Sequence, residues 1–198
     1  MDNCMKDLEI LWDEKTIEKH IKLIAKDIDT KWQNEPIVNL IPVLTGGIVF
    51  GTKLMIELES LSPKKWLVNP IIASAYEYSY NPDKPEVIHV SDYETKFTKG
   101  TPSILIDDLL DTGITLSIVK NIIHEITTST VEVAVLVDKI AKRNSDITPD
   151  YTCFTLESDY WLVGYGMDDK GLMRGLNSIG YLINTPAEFD ESLNQLAD

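Results

Sequence analysis

The stretch Ile104-Leu105-Ile106-Asp107-Asp108-Leu109-Leu110-Asp111-Thr112-Gly113-Ile114-Thr115-Leu116 carries the strongest pattern in the chain. An apolar run delivers two adjacent carboxylates, and a third follows three residues later. Thr-Gly-Ile-Thr then opens a helical pattern. The spacing predicts a short strand over Ser103–Ile106 that ends in Asp107-Asp108. A helix follows over Thr115–Thr127, with Leu116, Val119, Ile122, Ile123 and Ile126 on its inner side. The turn between them has the ingredients of a phosphate cradle. Gly113 allows close backbone approach, the helix N-terminus offers free N–H groups, and Thr112 and Thr115 add hydroxyl donors. Three carboxylates beside a phosphate would repel it, so the ligand implied carries hydroxyls and Mg²⁺ as well as phosphate.

Outward from this segment, strands and helices alternate. Thr16 is the expected N-cap of a helix running to about Trp32, with Ile17, Ile21, Ile24, Ile28 and Trp32 on one face, and Pro36 closes it. Ile37–Leu44 reads as a buried strand, Thr45-Gly46-Gly47 as a break, and Ile48–Leu58 as a helix. Trp66–Ala75 reads as a second strand. Val131–Val137 is another, ending at Asp138-Lys139, and a polar loop covers Ala141–Asp150. Trp161–Val163 and Ile179–Ile183 are late strand candidates. Alternation of this kind implies a mostly parallel sheet covered by helices, with ligands beyond the carboxyl ends of the strands. Tyr76–Pro102 is different: its four tyrosines, three prolines and many charges read as a hairpin or a long mobile loop.

The 198 residues amount to one domain, with 43% hydrophobic and 25% charged residues. Lys and Arg total 18 against 32 Asp and Glu, a net charge of −14. Such a polyacid repels nucleic acids and anionic membranes, so neither is an expected partner. Cys4 and Cys153 make no disulfide framework, and three isolated histidines give no zinc pattern. The most apolar stretch, Ile37–Leu58, is interrupted by glycines, a proline and charges. The N-terminus lacks a signal-peptide pattern, so a reducing cytoplasm is the expected compartment.

The strand, the acidic pair and Asp111-Thr112-Gly113-Ile114-Thr115 resemble the 5-phosphoribosyl-1-pyrophosphate (PRPP) signature of type I phosphoribosyltransferases. Trp161-Leu162-Val163-Gly164-Tyr165-Gly166-Met167-Asp168, followed by Met173-Arg174-Gly175-Leu176, resembles the purine-site run of the hypoxanthine-guanine branch. The resemblance covers about residues 40–183. It implies an α/β type I phosphoribosyltransferase core, a twisted, mostly parallel sheet flanked by helices, with a small hood from the chain termini. Residues 1–36 would be a helical N-terminal part of this single domain, and 76–102 a lid.

The resemblance also implies roles. Asp107 and Asp108 would hold the ribose hydroxyls, Asp111 would be the general base, and Asp111, Thr112, Gly113, Ile114 and Thr115 would bind the 5′-phosphate. Thr45, Gly46 and Arg174 would meet pyrophosphate, and Asp107 and Asp168 would serve Mg²⁺. Lys139 would face the purine 6-oxo group, with Trp161 and Leu162 beside the ring and Tyr76 on the lid. Independent chemistry fits two of these roles. A Trp at a strand end offers a flat platform, and Arg174 is one of only two arginines, the side chain best suited to phosphate. Two positions depart from the family pattern. Thr45 stands where many members carry Lys or Arg in a non-proline cis peptide, and Ala75 stands where Ser is usual.

The function implied is purine salvage, transfer of phosphoribose from PRPP to hypoxanthine or guanine, in a homo-oligomer (dimer or tetramer). The alternatives are a PRPP-binding regulatory protein without catalysis and a phosphoribosyltransferase for another base, such as xanthine or a pyrimidine.

Overall fold

The computed structural model describes residues 8–73, 75–76, 86–87 and 97–183. The chain opens with strand β1 (Leu8–Trp12), in a part where the sequence pattern predicts only helix. Helix α1 (Glu14–Lys31) begins earlier than expected. Asp13 is its N-cap, and the Asp13 carboxylate accepts the Thr16 N–H at 2.8 Å. Thr16 is thus the capped residue rather than the cap, because an Asp three residues upstream satisfies one of the orphan donors of the first turn.

Strand β2 (Val38–Leu44) and helix α2 (Ile48–Leu61) follow as expected. The single strand expected over Trp66–Ala75 is instead three pieces, β3 (Trp66–Val68), β4 (Ile71–Ile72) and β5 (Ala75–Tyr76). Pro70 lies between the first two, where a missing N–H ends ladder pairing. β5 pairs antiparallel with β6 (Glu86–Val87). The rest of the lid segment before residue 97, and the Tyr76 side chain, lie outside the described residues.

The acidic pair does not terminate its strand. β7 runs from Ser103 to Leu110, so Asp107 and Asp108 are strand residues, and α3 (Ile114–Thr127) starts soon after. Pairing with a long neighbour explains the extension: β8 (Val131–Lys139) matches β7 in parallel register as far as Leu110 opposite Asp138. β9 (Tyr151–Leu156) was not expected, although Tyr-Thr-Cys-Phe-Thr-Leu is rich in strand formers. β10 (Leu162–Val163) and β11 (Ile179–Leu182) complete the chain.

The main sheet has the order β3-β2-β7-β8-β9 with every neighbour parallel, and β4 continues beside β2. Side chains alternate across it. Ile104, Ile106, Ala134 and Leu136 pack with Ile17, Ile21 and Ile28 of α1 and Phe50, Leu54 and Leu58 of α2. Leu105, Val133 and Val135 pack on the opposite face with Leu116, Val119 and Ile123 of α3. This alternation leaves the strands apolar on both faces, as a covered parallel sheet requires.

A second, antiparallel sheet of order β1-β11-β10 forms the hood, with Leu8 opposite Leu182 and Trp12 opposite Ile179. Trp12 stacks on Phe154 of β9 with ring centroids 4.3 Å apart, which fastens the hood to the main sheet. Cys153, next to Phe154, is free and buried. Burial pushes its thiol up to about 12, so it is inert at neutral pH. No helix among the described residues is long and apolar enough to cross a membrane.

Candidate active site

A cavity of 660 Å³ opens at the carboxyl ends of β2, β7 and β8, beneath the hood. The strand order dictates its lining. β2 ends in Thr45-Gly46, β7 in the acidic segment, β8 in Lys139, and the turns around β10 supply Trp161, Leu162, Asp168 and Arg174. Of the residues singled out by sequence, all but two line this one cavity. Ile114 begins α3 behind the wall, and the Tyr76 side chain is not described. The Leu44–Thr45 peptide is cis.

Asp107 and Asp108 stand at the centre. The Asp108 N–H donates to the Asp107 carboxylate at 3.0 Å. Burial, then repulsion from Asp108, holds the Asp107 carboxyl well above the usual carboxylate range. Burial raises Asp108 too, against the lowering effect of its hydrogen bond with Asp107 and of the Arg174 charge. Two adjacent acids this buried are only partly compensated by protein groups. They favour hydroxyl donors or a hard cation supplied from outside. Gly46 lets the loop after β2 lie on this pair. A Cβ at that position would sit 2.5 Å from an Asp108 carboxylate oxygen.

Beyond β7 the chain turns through Gly113, whose φ of +81° is left-handed, and enters α3 with no side-chain cap. The Ile114 N–H reaches only the Thr112 hydroxyl, at 3.5 Å, and an uncapped helix N-terminus of this kind suits an incoming anion.

At the other end of the cavity Lys139 is 4% exposed. Its ammonium meets Asp159 at 2.8 Å and Asp111 at 3.5 Å. An ammonium has three donors, so one remains for a ligand. The second oxygen of Asp111, Oδ1, is buried and has no partner. Trp161 is 53% exposed at the rim, which excludes a core role for it. Tyr160 beside it stacks on Tyr181 at 4.1 Å.

Arg174 is oriented from two sides. It donates to the Gly166 carbonyl at 2.6 Å and pairs with Asp168 at 2.6 Å, while the other Asp168 oxygen accepts the Gly171 N–H at 2.6 Å. Among the described residues, no three His, Cys, Asp or Glu side chains converge to hold a metal by themselves. The donor set fits a cation bound by one or two carboxylates together with substrate oxygens, the usual manner of Mg²⁺.

Asp159, which holds the cavity residue Lys139, is the group that sequence reading missed. It lies two residues before Trp161, but its partner Lys139 is on another strand, so no spacing rule connects them.

The phosphoribosyl transferase domain family matches residues 7–170. The chain belongs to this family. This phosphoribosyl transferase is 30% identical over 182 residues to the hypoxanthine-guanine phosphoribosyltransferase of Streptococcus pneumoniae strain R6. The match covers 92% of this chain and 96% of that one. It is also 30% identical to the hypoxanthine-guanine-xanthine phosphoribosyltransferase of Tritrichomonas foetus, over 90% of this chain and 93% of that one. Among solved structures, a hypoxanthine-guanine phosphoribosyltransferase of Bacillus anthracis superposes with a TM-score of 0.74 at 25% identity, covering 88% and 97% of the two chains. A hypoxanthine phosphoribosyltransferase of Trypanosoma cruzi shares the fold, with a TM-score of 0.79 at 23% identity, covering 89% and 96%.

Proposed function

We propose that this phosphoribosyl transferase salvages purines, transferring 5-phosphoribose from PRPP to hypoxanthine or guanine to give IMP or GMP and pyrophosphate. One observation carries the reading. A helix N-terminus, an acid pair and a lysine with an aromatic residue converge on a single cavity. That set suits a ligand that joins a phosphate, a sugar diol and a heterocycle.

In this reading the turn from Asp111 to Thr115 anchors the 5′-phosphate, and Asp107 and Asp108 accept hydrogen bonds from the ribose 2′- and 3′-hydroxyls. Trp161 and Leu162 hold the purine plane. Its N9 attacks the ribose C1′ as the bond from C1′ to the pyrophosphate oxygen breaks. Positive charge develops on the sugar ring, and negative charge collects on the leaving group. Arg174 and the backbone at Thr45 and Gly46 meet the departing pyrophosphate. The open acceptor of Asp111 takes the proton from purine N7. The 6-oxo group and N7 are neighbours on one edge of the purine. The Lys139 ammonium and the Asp111 carboxylate, 3.5 Å apart, match that edge as donor and acceptor. Tyr76 belongs to the segment that would close over the site and exclude water.

Asp107 and Asp168 are the carboxylates that would hold Mg²⁺, which when bound supplies positive charge to the pyrophosphate oxygens. Exhaustive EDTA treatment is expected to abolish turnover, and added Mg²⁺ to restore it; full turnover without a divalent cation contradicts this role. The same reading carries a cytoplasmic location and a dimer or tetramer.

Gly46→Ala tests the packing on Asp108. The methyl group displaces the carboxylate or the loop by a sizeable fraction of an ångström. The expected loss in kcat/KM is about 10- to 100-fold, with little change in Tm. An unaltered kcat/KM means that neither needs its present position.

The base is named by pyrophosphate release with PRPP, Mg²⁺ and, in turn, hypoxanthine, guanine, xanthine, adenine and uracil. Release with the 6-oxopurines supports the proposal; release with uracil, or with none of the bases, overturns it.

A further inference from the structure

Arg143, the second of the two arginines, sits behind the phosphate turn and is not one of the residues that line the cavity. Its guanidinium nonetheless makes more contacts than any other side chain around the site. Nε donates to the Asp111 carbonyl at 3.0 Å and Nη2 to the Leu110 carbonyl at 3.1 Å. Nη2 also pairs with the Asp138 carboxylate, and Nη1 donates to the Ile147 carbonyl at 2.8 Å. The next carbonyl of the turn, that of Thr112, is held twice, by the Asn144 N–H at 3.0 Å and the Ser145 hydroxyl at 3.0 Å. Gly113 is pressed so closely against this loop that a Cβ would run into the Ser145 hydroxyl.

A trans peptide points its carbonyl and its following N–H in opposite directions. Three consecutive carbonyls, those of Leu110, Asp111 and Thr112, are fastened to the loop that follows β8. The N–H groups of Asp111, Thr112 and Gly113 are thereby sent away from that loop, and these three residues form cavity wall.

We infer that Arg143 is a positioning residue for 5′-phosphate recognition, its planar fork setting the peptide orientations of the phosphate turn from behind, with Ser145 as a second latch. The inference rests on the function proposed above, in that the turn is taken as the 5′-phosphate site. Arginine suits the task because one rigid plane reaches several acceptors at once. Lysine would keep the charge next to Asp138 but could not span the same carbonyls.

The test compares the affinities of IMP and inosine, which differ only in the 5′-phosphate, for wild-type protein, Arg143→Lys, Arg143→Ala and Ser145→Ala. Loss of a pinned hydrogen-bond array predicts a fall in IMP affinity of about 10-fold or more in both Arg143 variants, with inosine affinity unchanged. Guanidinium chloride at low millimolar concentration is expected to restore part of the IMP affinity of Arg143→Ala. A purely structural role would weaken both ligands alike, and that outcome overturns the inference, as does wild-type IMP affinity in Arg143→Lys. Should the Arg143 variants fail to fold, Ser145→Ala decides: a selective, smaller loss for IMP supports the inference, and no loss overturns it. Wild-type protein that binds IMP no better than inosine overturns the reading of the turn itself.

Discussion

Hypoxanthine is expected to exceed adenine in kcat/KM by about 10⁴-fold, the scale reached by sites built around one hydrogen bond to the substrate. The reason lies in Lys139. Its ammonium is buried, tethered by Asp159 on one side and near Asp111 on the other, and has donors only. The oxo group of hypoxanthine or guanine accepts from it. Adenine places an amino group there, so donor faces donor in a closed space, and unpaired buried groups of this kind cost about 1–3 kcal/mol each, more for a charged one. Trp161 contributes no such choice, since stacking on an exposed ring suits any purine. Lys139→Ala should therefore lose hypoxanthine turnover and narrow the gap to adenine. Comparable adenine turnover in the native protein refutes the selectivity. A variant that keeps normal hypoxanthine turnover and still rejects adenine assigns the selection to another group.

Asp111→Asn should lower kcat by about 10²–10⁴-fold, the usual range for loss of a general base. The amide keeps the shape of the side chain and can still accept from Lys139, but it cannot take a proton. The unpartnered buried Oδ1 makes the carboxylate suited to the role, because no protein donor occupies that lone pair. Pre-steady-state kinetics separates the two jobs this residue could have. A fall in kcat with PRPP affinity retained identifies the base. A collapse of PRPP affinity with the chemical step unchanged would make Asp111 a binding residue of the phosphate turn instead.

Periodicity made the centre of the fold legible. β2, β7 and β8 are rich in apolar residues because both of their faces are covered, and α1, α2 and α3 show apolar stripes at helical spacing. Strand β7 runs past Asp107-Asp108, although carboxylates resemble strand terminators, because a cavity there accepts them. β1 was invisible for a different reason. Five residues gain strand structure only by pairing with β11, which joins Leu8 to Leu182 across nearly the whole chain. The cis Leu44–Thr45 peptide was implied by the family resemblance, not by the local residues.

Within the site, residues in contiguous motifs could be found from sequence, since a strand followed by a tight turn brings neighbours together. Contacts between elements could not. Asp159 reaches Lys139 from the loop between β9 and β10, and Arg143 grips carbonyls about thirty positions earlier, at Leu110 and Asp111. Neither has a spacing signature, because the geometry is made by the sheet order.

The most direct test of the account is product identification. Wild-type protein, PRPP, Mg²⁺ and hypoxanthine are combined, and the products are separated and weighed by mass spectrometry. IMP and pyrophosphate in equal amounts, both absent when hypoxanthine or protein is omitted, are the predicted result. PRPP that binds to the protein yet remains intact with every 6-oxopurine would contradict catalysis and leave a PRPP-binding protein in its place.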